Sequence, residues 1–540
     1  MLQLTQCKLP YREAAQENLQ ENLIRKIAHT LHISEGEIRQ LSIVKKSIDA
    51  RKKPSVYMTY TVRFFVAQED KVWKRNQKNN SLTRLSKSSE SSLWEKIQTL
   101  ESDEKIIIVG AGPAGLFCAY YLSLCGLHPT ILERGAPMEE RVKDVERFWE
   151  KEILDSDSNV SFGEGGAGTF SDGKLNTGVK DRSGRKRFIL ESFVRFGAGE
   201  DILYDANPHI GTDVLRQVIV AMRKEMEQMG CTFLFHTTLT DLQINEGELT
   251  GVVICHENRE KVLPCKRLVL AIGHSARDTF SMLYEKGMNI SQKAFAIGAR
   301  IEHRQEDIDI AQYGVRDELL PAAPYKLTGK TSDERGVYSF CMCPGGYVVN
   351  ASTEQGGLVV NGMSNVARDS GYANSAIIVT VTPEDFGSSH PLAGVEYQRK
   401  YERRMFELCD GRIPVQRYED FVHDRQTTSC GKVQPCVKGK WQLANLRQAL
   451  PKSIIDGMIE GIGQFARRIQ GFDDGDTLLL GLESRTSSPI RIERDEDFES
   501  LSWRRVYPCG EGAGYAGGIM SAAMDGLRIA MKIQEKLGET

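Results

Sequence analysis

Residues 105–134 constrain the fold of this chain more than any other stretch, because they join two short apolar runs through a glycine-rich turn and a helix-length apolar segment. The first run, Ile106–Val109, leads into Gly110-Ala-Gly112-Pro-Ala-Gly115, and the second, Pro129–Leu132, ends at Glu133. Strand, glycine turn, helix, strand and acid is the order of a dinucleotide-binding site. There the first glycine permits a tight turn, the second lets the backbone approach a pyrophosphate, and the third lets the helix pack on the sheet. The sequence therefore predicts such a site, rather than an unrelated glycine-rich turn.

The predicted ligand contacts of this segment comprise the glycine turn, the start of the helix and the acid with its neighbour. They are Gly110, Gly112, Pro113, Ala114, Gly115, Glu133 and Arg134. The helix N-terminus adds amide donors and partial positive charge, and Glu133 stands where an acid binds ribose hydroxyls.

Hydropathy alone gives a misleading picture of the same stretch. Residues 106–127 are apolar and just long enough to resemble a membrane span, but they contain four glycines and a proline. The first residues lack the basic start and apolar core of a secretory signal. We expect a soluble, cytoplasmic protein without a membrane partner.

Length and charge narrow the class of protein further. The chain has 540 residues, which exceeds one ordinary core and predicts two or three domains. A formal net charge of −3 gives no overall attraction to nucleic acid, so a nucleic-acid partner is not expected. No Cys/His cluster has zinc spacing, and we predict no metal. Oligomeric state is not determined by these features.

The predicted architecture is α/β, with a Rossmann-like domain, an inserted α+β substrate domain and a small N-terminal α+β module. The predicted boundaries are 1–92 for the module and its linker, 104–289 and 476–540 for the two parts of the Rossmann-like domain, and 290–475 for the insertion. Within the module, Glu13–Leu31 has a helical pattern, Ile43–Asp49 and Ser55–Val66 alternate like a hairpin, and the polar residues 68–92 are typical of a flexible linker.

The hairpin turn Asp49-Ala-Arg51-Lys52-Lys53 is strongly basic and admits three interpretations. It is a solvated tip or an interdomain contact, it contacts RNA phosphates, or the module covers an active-site mouth. The near-neutral whole chain favours the first.

Two further segments converge on the ligand predicted from the first. The apolar strand from Leu268 ends at Gly273, and a C-terminal stretch, Cys509–Met520, is rich in glycine and precedes a helix. In flavin-binding folds a C-terminal stretch of this kind places an acid near the ribityl chain. It also places a helix N-terminus near the flavin ring, whose reduced form carries negative charge. The three segments together favour non-covalent FAD over NAD. The added candidate contacts are Gly273, Gly510, Glu511, Gly517, Gly518 and Ile519.

Residues 162–174 are too rich in glycine for the interior of a helix or strand. We interpret them as a loop that wraps the flavin and pyrophosphate, rather than a flexible surface loop. Its candidate contacts are Gly165, Gly166, Gly168, Thr169 and Lys174.

Candidate catalytic residues carry a weaker signal. Arg485 lies in a polar SRTSSP segment, where it could orient an anionic substrate, and His274 directly follows the strand that ends at Gly273. Cys341 and Cys343 alternate on a predicted strand, so they are either a dithiol near the flavin or two buried small residues. The chain has twelve cysteines but no CxxC, which argues against the mechanism of disulfide-reductase flavoenzymes.

These motifs resemble those of the large glutathione-reductase-like FAD flavoproteins, and more specifically a bacterial group labelled FAD-dependent or NAD-utilising dehydrogenases. The resemblance covers nearly the whole chain. It includes the 49–53 turn, Gly163–Lys174, Phe340–Gly346 and Glu483–Pro489. It implies FAD binding and redox activity. Glu511 departs from the broader pattern, in which Asp is commoner at this position.

We therefore expect a FAD-dependent dehydrogenase or reductase that transfers hydride through flavin N5 to or from a small molecule. Outside the segments assigned to the flavin the chain shows no strand–GxGxxG–helix unit, so NAD(P)H would act only as a transient electron donor. Two alternatives stay open: a flavin-dependent RNA-modifying enzyme that docks RNA on the basic module, and a non-enzymatic FAD-binding sensor.

Overall fold

A five-stranded parallel sheet forms the core of the nucleotide-binding domain in the computed structural model, which describes residues 1–85 and 92–539. In spatial order its strands are Val506–Pro508, Arg267–Leu270, Ile106–Val109, Thr130–Leu132 and Thr232–Leu234. Numbered along the chain, this order is 5-4-1-2-3, which is that of a doubly wound sheet. All four residues of Ile106–Val109 are buried, as expected for a parallel strand covered on both faces. The predicted fold class is confirmed.

Helices cover the sheet on both faces. They are Pro113–Leu124, Met138–Lys151, Arg185–Arg195, Thr212–Gln228, Arg277–Glu285 and Ile519–Gly538. A three-stranded antiparallel meander shares a core with one face of this sheet and with the helix Arg277–Glu285. It consists of Thr237–Asn245, Glu248–His256 and Arg259–Pro264, where the sequence predicted one. Among the described residues no helix is both long and apolar enough to cross a bilayer.

The N-terminal module is a four-stranded antiparallel sheet with helices on it. Its strands, in spatial order, are Ile38–Lys52, Ser55–Val66, Leu2–Pro10 and Leu82–Arg84, and its helices are Tyr11–Ala14, Leu19–Leu31 and Glu69–Arg75. The single helix predicted over Glu13–Leu31 is thus interrupted. The hairpin was predicted in place, whereas the alternating strand Leu2–Pro10 was missed.

The prediction of a flexible linker is wrong for residues 68–85. The helix Glu69–Arg75 buries Val72, and Leu82–Arg84 pairs with Leu2–Pro10 as an edge strand. These few apolar side chains are enough to anchor a polar segment to an existing sheet. Residues 86–91, which the linker prediction also covers, lie outside the described residues.

The basic hairpin contacts both other domains. The Lys46 amide donates to the Tyr204 carbonyl at 2.7 Å, and Lys46 accepts from the Ala206 amide at 2.8 Å. At the turn, the Lys53 ammonium donates to the Ala311 carbonyl, and Arg51 forms an ion pair with Asp49 at 2.7 Å. Of the alternatives for this turn, these contacts support the interdomain one.

The inserted domain contains a seven-stranded sheet. In spatial order its strands are Thr328–Lys330, Gly336–Cys343, Tyr372–Val381, Phe295–Arg304, Leu478–Glu483, Ile413–Arg417 and Trp441–Leu443. A smaller sheet comprises Val360–Met363, Tyr347–Asn350 and Val437–Lys438. The helices are Gln305–Tyr313, Ala393–Cys409, Tyr418–Val422 and Lys452–Ala466. Short 3₁₀ turns complete the chain, at Glu35–Glu37, Leu93–Lys96, Gly166–Phe170, Glu200–Leu203, Pro383–Phe386 and Leu446–Gln448.

The predicted end of the inserted domain, at residue 475, is too early. Leu478–Glu483 pairs with Phe295–Arg304 and with Ile413–Arg417, so it is a central strand of the inserted sheet. The chain returns to the nucleotide-binding domain only after the ribbon formed by Ile290–Gln292 and Ile490–Ile492. Local sequence could not show this, because a fully buried apolar strand looks the same in either sheet.

The closing helix Ile519–Gly538 packs against Pro113–Leu124 at Gly526, and this contact generates a stability prediction. A Cβ at Gly526 would lie 2.0 Å from the Ala114 carbonyl oxygen, so Gly526→Ala would push the helices apart and destabilise the protein by about 2 kcal/mol. Gly463 is the matched control, because a Cβ there meets nothing within 4 Å in the helix Lys452–Ala466. Gly463→Ala should be neutral or stabilising by about 0.5 kcal/mol. Denaturant unfolding of both variants checks this, and equal effects would contradict the packing.

Candidate cofactor and active site

A cavity of about 700 Å³ lies between the nucleotide-binding and inserted domains. It begins beyond the carboxyl ends of Ile106–Val109 and Arg267–Leu270, the two adjacent strands at which the strand order reverses. Open α/β sheets bind ligands at this switch point. The inserted domain contributes wall residues from 324–326, 339–342 and 359–361. The cavity has the size of a ligand site rather than of a packing defect.

Sixteen of the residues predicted for the site lie in the wall of this cavity. They are Gly110, Gly112, Pro113, Ala114, Glu133, Arg134, Gly166, Gly168, Lys174, Gly273, His274, Arg485, Glu511, Gly517, Gly518 and Ile519. Three segments far apart in the chain thus meet at one space.

Four other predicted contacts lie outside the wall and have structural roles. A Cβ at Gly115 would lie 1.9 Å from the Gly110 carbonyl oxygen, so this glycine permits helix packing. Gly165 has a φ of +82°, and a Cβ there would strike Thr169. The Thr169 hydroxyl donates to the Gly166 carbonyl and accepts from Arg141. Gly510 has a φ of +72° and its amide donates to Asp525. These side chains and turns shape the loops without facing the ligand space.

Two glycines in the wall are explained best by a ligand. Gly112 is extended, and the nearest atom to a Cβ there is 3.8 Å away. Gly517 also lacks a positive φ, and a Cβ there would meet nothing within 4 Å. Neither backbone conformation nor packing within the protein requires glycine at these positions. A side chain would instead extend into the cavity, so the absence of one keeps space beside the backbone for the cofactor.

Two helix N-termini are directed at this space. Pro113–Leu124 starts after Gly112 and Ile519–Gly538 starts after Gly518, and neither has a side-chain cap. Uncapped first-turn amides with the positive end of a helix dipole form an anion site. The two helices therefore offer donors for a pyrophosphate and for a ring edge that becomes negative on reduction.

The carboxylate of Glu133 connects three backbone segments at the base of the site. It accepts hydrogen bonds from the amides of Ala111 at 2.8 Å, Gly135 at 3.0 Å and Gly163 at 2.9 Å. Two carboxylate oxygens have about four acceptor positions, so roughly one position is left for a ribose hydroxyl. The predicted acid therefore organises the glycine loops as well as lining the cavity.

Arg141 is the most important residue that sequence reasoning missed. It is fully buried and donates to the carbonyls of Asn159, Val160 and Glu164 and to the Thr169 hydroxyl. It thus fixes the loop 162–174. Its burial could have been predicted, because Arg141 lies on the same helix face as the buried residues Met138, Val145 and Phe148.

Asp525 was also missed, although it is an isolated acid in the apolar part of the closing helix. It accepts from the Gly510 amide at 2.9 Å and forms a two-point pair with Arg494, with distances of 2.7 and 2.9 Å. Both side chains are nearly buried. The pair fixes the turn that carries Glu511.

His274 and Glu511 face each other across the wall, with 4.0 Å between Nε2 and Oε1. Burial lowers the pKa of His274 to about 3, with Arg485 and Arg277 adding to the effect, so this imidazole is neutral. Burial raises the pKa of Glu511 to about 7. A carboxyl with this pKa is protonated in about half of the molecules near neutrality, and the protonated form can donate to a phosphate or hydroxyl oxygen instead of repelling it.

Arg485 does not have the role predicted for it. Its guanidinium donates to both oxygens of the buried Glu402, at 3.1 and 2.8 Å, and to the hydroxyls of Ser275 and Thr353. Arg277 binds the same carboxylate at 2.8 and 2.9 Å. With four of its five N–H donors used within the protein, Arg485 is a structural link between the two domains rather than a free clamp for an anionic substrate.

Comparison with known proteins places these observations in context. A family model described as "FAD-dependent protein, C-terminal domain-like" matches residues 294–486, and a domain of unknown function matches residues 1–65. A protein of Clostridium beijerinckii described as uncharacterised is 44% identical over 520 residues, which is 95% of this chain and 96% of that protein. The first description confirms the prediction of FAD as the cofactor.

Solved structures are similar at lower levels. The flavin-dependent brominase Bmp2 has 14% identity and a TM-score of 0.38, with 81% of this chain and 80% of that chain covered. Glycerol-3-phosphate dehydrogenase from Bacillus halodurans, complexed with FAD, has 11% identity and a TM-score of 0.34, with 81% and 65% covered. Glycine oxidase from Bacillus cereus has 11% identity and a TM-score of 0.31, with 80% and 96% covered. Because these TM-scores lie below 0.5, they carry no further argument.

The raised pKa of Glu511 predicts a pH dependence of stability. Since the pKa rises from 4.5 in exposed chains to about 7 in the fold, the carboxyl stabilises the fold fully below pH 4.5, and this contribution is lost as the pH rises to 7. Between these limits the wild type should lose about 2 kcal/mol relative to Glu511→Gln. Denaturant unfolding of flavin-free protein at several pH values measures it. Glu407→Gln, at an exposed helix position, is the control. Parallel pH profiles for wild type and Glu511→Gln would contradict the assignment.

Proposed function

We propose that this chain, which belongs to the same protein family as the Clostridium beijerinckii relative, is a FAD-dependent oxidoreductase that acts on a small molecule. The observation that carries the proposal is the single cavity at the switch point. Two uncapped helix N-termini and two otherwise unexplained glycines, Gly112 and Gly517, border this cavity. The match of residues 294–486 to FAD-dependent proteins supports the same conclusion.

The wall residues divide by chemistry into a nucleotide end and a reacting end. At the nucleotide end, Glu133 retains acceptor capacity for ribose hydroxyls, and Arg134 lies 4.5 Å from the centre of the Phe162 ring, beside an apolar wall suited to adenine. The amides after Gly112 suit the pyrophosphate. At the reacting end, the helix N-terminus after Gly518 would stabilise negative charge on the flavin ring.

When bound, FAD supplies hydride transfer at its N5 position. The chain's own contribution is to position the reactants and exclude water. Phe340 and Met342 of the inserted domain provide apolar wall at the reacting end, and Asn361 adds a polar group to the wall. The inserted domain therefore roofs the cavity and defines the substrate.

The charges at this end favour an anionic substrate. Lys174 and Arg368 both line the cavity, and they share one buried counter-ion, Asp172, at 3.4 and 3.7 Å. One positive charge is therefore in excess, which suits a carboxylate or another small anion. This pair takes the role that the sequence had suggested for Arg485.

Other parts of the proposal rest on sequence. A glutathione-reductase-like relationship is supported by the order of the three glycine segments. The further GxGxxG spacings, Gly163–Gly168 and Gly512–Gly517, lie in segments assigned to the flavin, so a nicotinamide would visit only transiently as donor. The twelve free cysteines suit a reducing compartment, so we place the protein in the cytoplasm.

Contacts of the basic hairpin with neighbouring domains support a small-molecule substrate over a nucleic-acid partner.

The test of the proposal is flavin retention in Gly112→Val. The added side chain has room in the fold, since only Gly166 comes within 4 Å of a Cβ, but it would occupy space required by the pyrophosphate. We expect flavin content, read from absorbance and reversed-phase chromatography, to fall at least about tenfold while the fold is preserved, a loss of about 1.4 kcal/mol or more in binding.

The matched control is Gly178→Val, because a Cβ at Gly178 meets nothing within 4 Å and this glycine is outside the cavity wall. The control should retain flavin at the wild-type level. Full flavin content in folded Gly112→Val would show that the cofactor lies elsewhere.

A further inference from the structure

The segment Cys341-Met342-Cys343 has a geometry that the proposed function does not require. It ends the strand Gly336–Cys343, and Cys341 and Met342 line the cavity. Pairing with the strand Tyr372–Val381 slips between Phe340 and Cys343, which marks a β-bulge. Cys341 has a φ of +43°, in the left-handed region that side chains with a Cβ rarely adopt. Such strain is concentrated at functional sites, where the surroundings maintain it.

The bulge brings the side chain of Cys343 back toward Cys341. A regular strand would hold these Cα atoms about 6.6 Å apart, at the upper limit for a disulfide. Here the Cys343 thiol donates to the Cys341 carbonyl oxygen at 3.2 Å, so the Cys343 side chain turns back toward Cys341. Cys341 is partly exposed to the cavity, whereas Cys343 is buried behind it. Cys341 therefore offers an accessible sulfur, and Cys343 is placed to act as the resolving thiol, which attacks a mixed disulfide formed on Cys341.

Glycines and a buried arginine surround the inner sulfur closely. A Cβ at Gly362 would lie 2.6 Å from Cys343 Sγ, and a Cβ at Gly346 would lie 2.9 Å from Cys343 Cβ. Arg300 donates to the Cys341 carbonyl at 3.2 Å and places Nη1 3.9 Å from Cys343 Sγ. Its own charge is balanced by Glu483, at 2.8 Å. The fold is thus built tightly around this pair.

The charged groups facing Cys341 are two cations, Lys174 and Arg300, and three acids. The acids are Asp172, Glu483 and Glu511. Glu483 and Glu511 both have a pKa raised to about 7 by burial, so they carry only partial negative charge near neutrality. Lys174 and Arg300 each lower the pKa of Cys341 by more than Asp172 raises it.

This environment gives the two thiols different pKa values. The hydrogen bond from Cys343, assisted by Lys174 and Arg300, lowers the pKa of Cys341 to about 6 despite burial, while burial raises the pKa of Cys343 well above its usual value. Burial raises the pKa of nine other cysteines. They are Cys7, Cys118, Cys125, Cys231, Cys265, Cys409, Cys430, Cys436 and Cys509.

We propose that Cys341 and Cys343 form a thiol–disulfide redox couple in the cavity wall, with Cys341 as the attacking sulfur and a small disulfide as the substrate. The Cys341 thiolate attacks one sulfur of the substrate RS–SR, and a new S–S bond forms as RS⁻ leaves. Cys343 then attacks the Cys341 sulfur, the bond from that sulfur to SR breaks as the Cys341–Cys343 disulfide closes, and the proton of Cys343 passes to the second RS⁻, which leaves as RSH. The two protein sulfurs have lost two electrons, and the substrate has gained them.

Return to the dithiol requires two electrons and a proton, which reduced FAD and solvent would supply. That return alone rests on the proposed function. The first half of the cycle uses only the protein's own sulfurs, and it can be tested without flavin.

The experiment uses 5,5′-dithiobis(2-nitrobenzoate), an anionic disulfide whose released thiolate is coloured, with full-length protein stripped of flavin and with flavin-loaded protein. Wild type should release two thiolates per chain in a fast phase, and its 341–343 peptide should then be two hydrogens lighter without an adduct. Cys343→Ser should release one and keep the adduct on Cys341. Cys341→Ser should slow the fast phase at least about tenfold, because no thiolate replaces it.

Two controls separate this pattern from general thiol reactivity. Cys430→Ser removes another partly exposed cysteine and should leave the rate and stoichiometry of the fast phase unchanged. The fast rate of wild type should reach half its maximum near pH 6, and Lys174→Met should move that midpoint upward, because a facing cation is lost. Circular dichroism verifies folding of each variant.

A wild-type adduct that persists on Cys341 would refute the couple, and so would an unchanged fast phase in folded Cys341→Ser. Flavin content, measured separately, distinguishes the two proposals. A protein that never binds flavin but closes the disulfide contradicts only the proposed function, whereas a flavin-loaded protein without the two-step release contradicts only the dithiol.

Discussion

The hydrogen bonds of the buried Glu133 carboxylate are the interaction on which the rest of the site depends. A carboxylate only 5% exposed is costly unless it is paired, and here three backbone amides, those of Ala111, Gly135 and Gly163, stabilise it. These amides belong to the glycine turn, the segment after the second strand and the loop 162–174. One side chain thus couples three backbone segments that share no secondary structure, and Arg141 fixes the far side of the same loop.

Buried charge is balanced in the same way elsewhere around the cavity. Glu402 is held by Arg277 and Arg485, and Asp525 by Arg494, so the turns at the domain boundary are fixed by ion pairs rather than by apolar packing. Buried ion pairs add little net stability but are expensive to break singly. Here their role is to position the backbone, because they fix the turns whose amides face the ligand. The polar groups that line the cavity therefore remain available to the cofactor and substrate.

The sequence predicted what depends on local pattern. The doubly wound sheet was identified from the glycine turn, the acid after the second strand and the apolar closing helix. The same features predicted many of the residues that line the cavity. Prediction failed where long-range pairing decides the outcome. Arg141 and Asp525 are charged residues within apolar patterns, and the partners that stabilise them are distant in sequence. Arg485 was assigned to a substrate because its partner Glu402 lies 83 residues away, and the strand Leu478–Glu483 was assigned to the wrong sheet. The bulge at Cys341 replaces a simple alternation with a hydrogen bond from the Cys343 thiol to the Cys341 carbonyl, which no local periodicity indicates.

The central claim is that the cavity at the switch point holds one FAD per chain without a covalent bond. Native mass spectrometry of the purified protein tests it most directly, before and after stripping and re-addition of FAD. The account predicts a 60.5 kDa chain that carries the mass of a single FAD, loses it on denaturation and regains one equivalent when FAD is added back. A folded chain that carries no flavin, and takes up none from excess FAD, would contradict it.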